Sequence, residues 1–125
     1  MTIHYTVGEK DKRPWGTWEV IAVGSNYIVK KIVVMPGQQL SLQLHHFRDE
    51  HWIIAEGTAE VTLDDRIFDA PANTPIFIRN GQKHRITNRT QTPIVFIEVQ
   101  TGDNLDENDI VRLEDRYGRI HSTNN

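Results

Sequence analysis

Apolar and polar positions alternate with a period of two along most of this chain, in short runs separated by Gly, Pro, Asn and Asp. Trp18, Val20 and Ala22 oppose Thr17, Glu19, Ile21 and Val23. Near the other end Ile94, Phe96, Glu98 and Gln100 oppose Val95, Ile97 and Val99. Such alternation places successive side chains on opposite faces of a strand. Residues 27 to 35 are dense in β-branched side chains and predict a strand buried on much of both faces, stopped by Pro36 and Gly37. In the next tract Ser41, Gln43 and His45 share one face while Leu40, Leu42 and Leu44 share the other. After a bend at residues 47 to 49, Glu50 opens a strand with Trp52 and Ile54 on its own side, and Gly57 ends it. Residues 58 to 63 read as its hairpin partner, with Asp64 and Asp65 as the turn. Pro71, Asn73 and Pro75 punctuate a link to Ile76, Phe77 and Ile78, after which Asn80 and Gly81 deliver the chain to His84. About eight or nine short strands with turn signals between them predict an all-β sandwich or barrel.

The two ends differ from this pattern. Residues 1 to 13 are polar and read as an arm or early edge strand. The last two dozen or so residues are charged and lack the period of two. There Asp106 is placed to cap a short helix carrying Ile110, Leu113 and Tyr117 at i, i+3 and i+7. From His121 onward disorder is expected.

A chain of 125 residues supports one domain, expected over residues 1 to 125 with its core at about 13 to 119. With 38% hydrophobic and 25% charged residues it has the composition of an ordinary globular protein. A net charge of -3 with interspersed signs argues against a nucleic-acid partner. No apolar run approaches a membrane span and the start lacks the apolar core of a signal peptide, so no membrane partner and a cytoplasmic location are expected. The absence of cysteine excludes disulfides, thiolate ligands and cysteine nucleophiles.

Candidate chemistry concentrates in PGQQLSLQLHHFRDEHWIIAEG, residues 36 to 57, where Gln43, His45 and Glu50 stand in a Q-x-H-x4-E spacing. An amide, an imidazole and a carboxylate converging on one spot call for a divalent metal, because an unpartnered buried carboxylate is costly. His84, in GQKHRITN, is the candidate fourth ligand. The alternative is that His45 and His84 are polar residues of a barrel wall. The two stretches resemble the paired motifs of the cupin superfamily, G-x5-H-x-H-x3,4-E-x6-G and G-x2-H-x3-N: Gly37, His45, Glu50, Gly57, Gly81, His84 and Asn88 fall in register, with Gln43 where most cupins carry a histidine. The resemblance implies a double-stranded β-helix, or jelly-roll barrel, here with the short C-terminal helical segment. It also implies a divalent metal ion on Gln43, His45, Glu50 and His84, zinc first, with manganese, nickel, cobalt and iron compatible.

Over residues 13 to 119, and most specifically in SLQLHHFRDEHW and DIVRLEDRYGR, the chain resembles the C-terminal isomerase domain of type II phosphomannose isomerases. Phe47 stands where that family usually has a third histidine. No glycine-rich basic nucleotide loop is present, so the resemblance implies the isomerase activity alone: a metal-dependent mannose-6-phosphate isomerase exchanging mannose 6-phosphate and fructose 6-phosphate. Such an aldose–ketose shift needs stabilisation of an enediolate and a general base. Glu98 is the candidate base, with His46 and His51 as others, and Arg48 joins it as a catalytic candidate. Arg48, Arg85 and Lys30 are the candidates for the substrate phosphate, followed by Arg112, Arg116 and Arg119. Competing readings are an epimerase or dioxygenase of cupin type and a non-catalytic sugar-binding or regulatory module. A sugar phosphate is the expected small-molecule partner. The outward Leu40, Leu42 and Leu44 call for a cover, either the N-terminal strand or a second subunit, and of these the homodimer is the favoured expectation.

Overall fold

The structure, a computed structural model, describes residues 5–106 and 108–118. The expected disordered tail from His121 and the candidate Arg119 lie outside the described residues. Eleven strands are present among them: β1 (Lys10–Arg13), β2 (Gly16–Val23), β3 (Tyr27–Val34), β4 (Leu42–Leu44), β5 (Asp49–Glu56), β6 (Thr58–Leu63), β7 (Arg66–Pro71), β8 (Pro75–Ile78), β9 (His84–Thr87), β10 (Ile94–Thr101) and β11 (Val111–Glu114). They form a six-stranded sheet, β1-β2-β3-β10-β5-β8, and a five-stranded sheet, β11-β4-β9-β6-β7, with antiparallel pairing throughout. Both sheets contribute to one buried cluster, Trp18, Ile28, Trp52, Ile54 and Phe96 from the first and Ala59, Val61, Leu63, Ala70 and Ile86 from the second. Among the described residues no helix is long and apolar enough to cross a membrane.

The inner face of several strands changes character along its length, and this change positions the site. β10 buries Ile94 and Phe96 and then, in the same alternation, Glu98 and Gln100. β5 buries Glu50 ahead of Trp52 and Ile54, β9 buries His84 ahead of Ile86, and β3 buries Lys30 between Ile28 and Ile32. Because β10 runs antiparallel to both neighbours, Glu98 stands opposite Lys30 and Trp52, and Gln100 stands opposite Glu50. One end of the interior is therefore apolar and the other polar. Buried charges persist only when they are paired and hydrogen-bonded, so the polar end must be a connected network.

Among the described residues the expected C-terminal helix is absent. Asp106 does make local bonds of the kind a cap makes: its Oδ1 accepts from Asn108 N at 2.9 Å and its carbonyl from Asp109 N at 3.0 Å. The chain turns only once there, and β11 then pairs with β4, Val111 opposite Leu44 and Arg112 opposite Gln43. An open sheet edge offers a row of unpaired N–H and C=O groups, and satisfying them outweighs a short, marginal helix.

Two other departures have local causes. Residues 66 to 71, of which the sequence pattern singles out only Pro71 as punctuation of a link, form β7 at the edge of the five-stranded sheet, where Pro71 costs no ladder hydrogen bond. Leu40 is a core residue and Ser41 beside it is also buried, so the alternation fails before β4 begins. There Leu40 N bonds Ile86 O at 3.0 Å and Gln39 bridges Thr87, which is an irregular approach to the sheet. The outward apolar set reduces to Leu42 and Leu44, both half-buried, beside Val111.

Candidate metal centre

His45 follows β4 directly, Glu50 is the second residue of β5 and His84 opens β9. Three elements thus bring their ends to one spot, and candidate ligand atoms of the three residues lie within 4.8 Å of one another. All three side chains are buried. The two sequence motifs are tied together by the backbone, since Gly81 N donates to His45 O at 2.7 Å. Gly81 has φ of +83°, in the left-handed region that suits glycine, and this turn aims His84 inward. Gln43 pairs with His84 across the β4–β9 ladder, so the two share a face, and Gln43 lines the cavity beside the cluster.

Hydrogen bonding fixes what each imidazole presents. His45 Nδ1 is 2.5 Å from Asp109 O, and His84 Nδ1 is 3.0 Å from Gln82 O. A carbonyl only accepts, so each Nδ1 carries the proton and each Nε2 keeps its lone pair. Those Nε2 atoms lie 3.2 and 3.9 Å from the two oxygens of Glu50. Burial above all, with Arg48 adding to it, lowers the His45 pKa to about 3. Burial likewise lowers that of His84. For Glu50, burial alone would favour the neutral acid, but Arg48 and a hydrogen bond from Trp52 Nε1 at 3.0 Å reverse this and hold the carboxyl below its ordinary range. The centre therefore contains two neutral imidazoles and a carboxylate, and the histidine contacts with Glu50 are not ion pairs.

Two nitrogen lone pairs and an anionic oxygen directed at one another favour a cation between them. Two imidazoles and one carboxylate match a divalent-ion donor set, with both Nδ1 atoms anchored on carbonyls as metal-ligating histidines require. Arg48 is the cation that touches this set: its Nε donates to Glu50 Oε2 at 2.8 Å and its Nη2 to His45 Nε2 at 3.2 Å. Its Nη1 is buried with no hydrogen-bond partner.

A cavity adjoins the cluster, lined by Gln43, Arg48, Glu98, Lys30 and Arg112, with Trp18 in its wall. Burial, then repulsion from Glu50, raises the pKa of Glu98 to about 7 against the opposing pull of Lys30. Gln100 Nε2 donates to Glu98 Oε1 at 2.6 Å. Lys30 Nζ stands 4.1 Å from the Tyr5 ring centroid and 4.7 Å from that of Trp18, so aromatic faces help hold a buried ammonium.

Other candidates lie elsewhere. Arg85 alternates with the buried His84 and Ile86, which puts it on the outer face of its sheet, where it pairs with Glu114. It is not among the residues that line the cavity, where Lys30 and Arg48, the other two phosphate candidates, both stand. His51 alternates with the buried Glu50 and Trp52 and stacks on Phe77 outside, ring centroids 4.6 Å apart; His46 is exposed. Neither stands as a base in this cavity. Phe47 is 59% exposed and Arg116 bonds Gly37 O at 2.7 Å. Asn88, the last residue of the second motif, braces the fold: its Nδ2 donates to Val34 O at 2.9 Å and Thr92 O at 2.8 Å. Sequence reasoning missed Asp109 and the Trp52 hydrogen bond. Asp109 opens the DIVRLEDRYGR segment, but nothing local says that it reaches His45.

The family model described as mannose-6-phosphate isomerase C-terminal matches residues 2–115. The xanthan biosynthesis protein XanB of Xanthomonas campestris is 50% identical over 107 residues, covering 86% of this chain and 23% of that protein. The mannose-1-phosphate guanylyltransferase of Escherichia coli is 46% identical over 108 residues, again 86% of this chain and 23% of that protein. A crystal structure of a Klebsiella pneumoniae protein with a double-stranded β-helix domain superposes with a TM-score of 0.69 at 19% identity, covering 90% of this chain and 91% of that one. The chain thus spans less than a quarter of the length of these curated relatives. That finding overturns the expectation of a self-contained, isomerase-only mannose-6-phosphate isomerase. The relatives are longer proteins named for guanylyl transfer and polysaccharide biosynthesis, and the family description concerns a C-terminal part.

Proposed function

Because the chain belongs to the mannose-6-phosphate isomerase C-terminal family, on a double-stranded β-helix of cupin type, we propose that it is a metal-binding domain for a phosphorylated sugar. The observation that carries this reading is the pair of Nδ1-anchored imidazoles facing a buried carboxylate, joined through Arg48 to an adjoining cavity that Lys30, Arg48 and Arg112 line. His45, Glu50 and His84 would hold the ion, with Gln43 as fourth ligand and zinc as the first candidate. When bound, the ion supplies Lewis-acid polarisation of a sugar oxygen. With three neutral ligands and one anionic, this set leaves a divalent ion a net charge of about +1 for an oxygen ligand.

The chain's own residues supply the rest. Lys30 and Arg112 place positive charge in the cavity for a phosphate, and Arg48 links that charge to the Glu50 carboxylate. Glu98 is a catalytic candidate because it lines the cavity, where burial and the Glu50 carboxylate raise its pKa to about 7. The domain is read as one unit over residues 1–125. It is read as a homodimer through the half-exposed Leu42, Leu44 and Val111 face, which sedimentation of the purified chain would check.

Titration calorimetry with zinc, manganese and cobalt, followed by mannose 6-phosphate and mannose 1-phosphate added to loaded protein, tests the proposal. Stoichiometric metal binding abolished in His45→Ala, and sugar-phosphate binding weakened at least about tenfold in Lys30→Ala, are the expected results. A folded protein that takes up none of these ions would overturn it.

A further inference from the structure

Asp109 grips the ligand turn three times. Its Oδ1 accepts from His46 N at 2.8 Å, its Oδ2 from Phe47 N at 2.9 Å, and its carbonyl from His45 Nδ1 at 2.5 Å. It is buried at 8% exposure and stands 64 residues from His45 in sequence. Its own amide bonds Asp106 O at 3.0 Å, and the strand that follows pairs with β4 from Val111 onward. One carboxylate thus takes both amides of a bend, with charge-assisted bonds, while the carbonyl of the same residue takes the imidazole.

The consequence concerns where His45 carries its single proton. Glu50 Oε2, 3.2 Å from Nε2, is an acceptor that would draw the proton to Nε2 and remove the lone pair a metal needs. Asp109 O draws it to Nδ1, and Arg48 Nη2, which can only donate, faces Nε2 at 3.2 Å. The backbone carbonyl makes the decisive bond, but the carboxylate determines where that carbonyl sits. We propose that Asp109 is the positioning residue of the centre, clamping the His45–Phe47 turn and holding His45 as the Nδ1–H tautomer with its Nε2 directed at Glu50. This rests on the metal-binding reading of the cluster. It makes the C-terminal segment part of the site rather than a trailing end.

A metal-free readout tests it first. Long-range 1H–15N spectra of the imidazoles report the tautomer of His45 in the full chain, in Asp109→Ala, in Asp109→Asn and in Glu114→Ala, an exposed control on the same segment. The parent and Glu114→Ala are expected to show Nδ1–H, Asp109→Ala a substantial Nε2–H population, and Asp109→Asn, which keeps one amide bond, an intermediate mixture. Cobalt titration should then show affinity about 10- to 100-fold weaker in Asp109→Ala, with altered d–d bands, and no change in Glu114→Ala. A parent already in the Nε2–H form, or a folded Asp109→Ala that stays wholly Nδ1–H, overturns the proposal. If the alanine variant does not fold, an unshifted tautomer in Asp109→Asn overturns it equally. A parent that binds no cobalt sinks the metal reading, while the tautomer spectra still judge Asp109.

Discussion

At the scale of single residues the centre turns on Glu50, which touches Arg48, Trp52 and His45 while buried. Replacing it by Gln leaves the Arg48 guanidinium buried without its anion. Glu50→Gln is expected to cost about 3–5 kcal/mol in urea unfolding and to weaken metal binding at least about a hundredfold. The acid limb of stability follows from His45, whose pKa falls from 6.5 in the unfolded chain to about 3 in the fold. Between those values the unfolded chain binds the extra proton, so the His45 contribution to metal-free stability is full above about 6.5 and declines as pH falls toward 3. Glu98 acts with the opposite sign. Raised from 4.5 to about 7, it keeps its proton in the fold, so its contribution is full below 4.5 and lost as pH rises through 7. Urea unfolding across this range should show a flatter acid limb in His45→Gln and a flatter neutral limb in Glu98→Gln. The four proposed ligands were legible in sequence because their spacing is local to two motifs. Asp109 was not, because its partner is brought to it only by the pairing of β11 with β4.

At the scale of elements, two glycines with the same backbone angle separate strain from crowding. Gly57 and Gly81 both have φ of +83°, but a Cβ on Gly57 would stand 2.9 Å from Pro93 O, while at Gly81 nothing lies within 4 Å. Gly81→Ala is expected to cost about 1 kcal/mol for the left-handed conformation alone, and Gly57→Ala at least about twice that, by thermal unfolding of the metal-free protein. The same logic of local against distant forces explains the elements that sequence misread. The stripe of Ile110, Leu113 and Tyr117 is a fair helical pattern, yet a pattern cannot register that the edge of β4 lies open beside it. β6, bounded by Gly57 and the Asp64–Asp65 turn, matches its sequence boundaries because both signals are local.

At the scale of the whole molecule, an apolar end pays for a polar one: Ile94 and Phe96 anchor the strand that carries Glu98 and Gln100, and Trp52 and Ile54 the strand that carries Glu50. Metal bound to the folded chain alone should stabilise it by about 2.7 kcal/mol at a hundredfold excess over Kd, a shift of a few degrees in Tm. Chelation should reverse the shift, and His45→Ala should show none. The sequence by itself determined the all-β character, most strand positions and the metal-ligand candidates. Each of these rests on period-two burial, turn chemistry or short spacing, and so on neighbours within a few residues. Only the tertiary structure decided that residues 111–114 form a strand, that Lys30 and Arg112 face the cavity, and that Asp109 and Gln82 fix the imidazole tautomers. Those outcomes depend on which distant edges and carbonyls come into contact. Hydrogen-bond satisfaction in a buried interior, rather than any local preference, selects them.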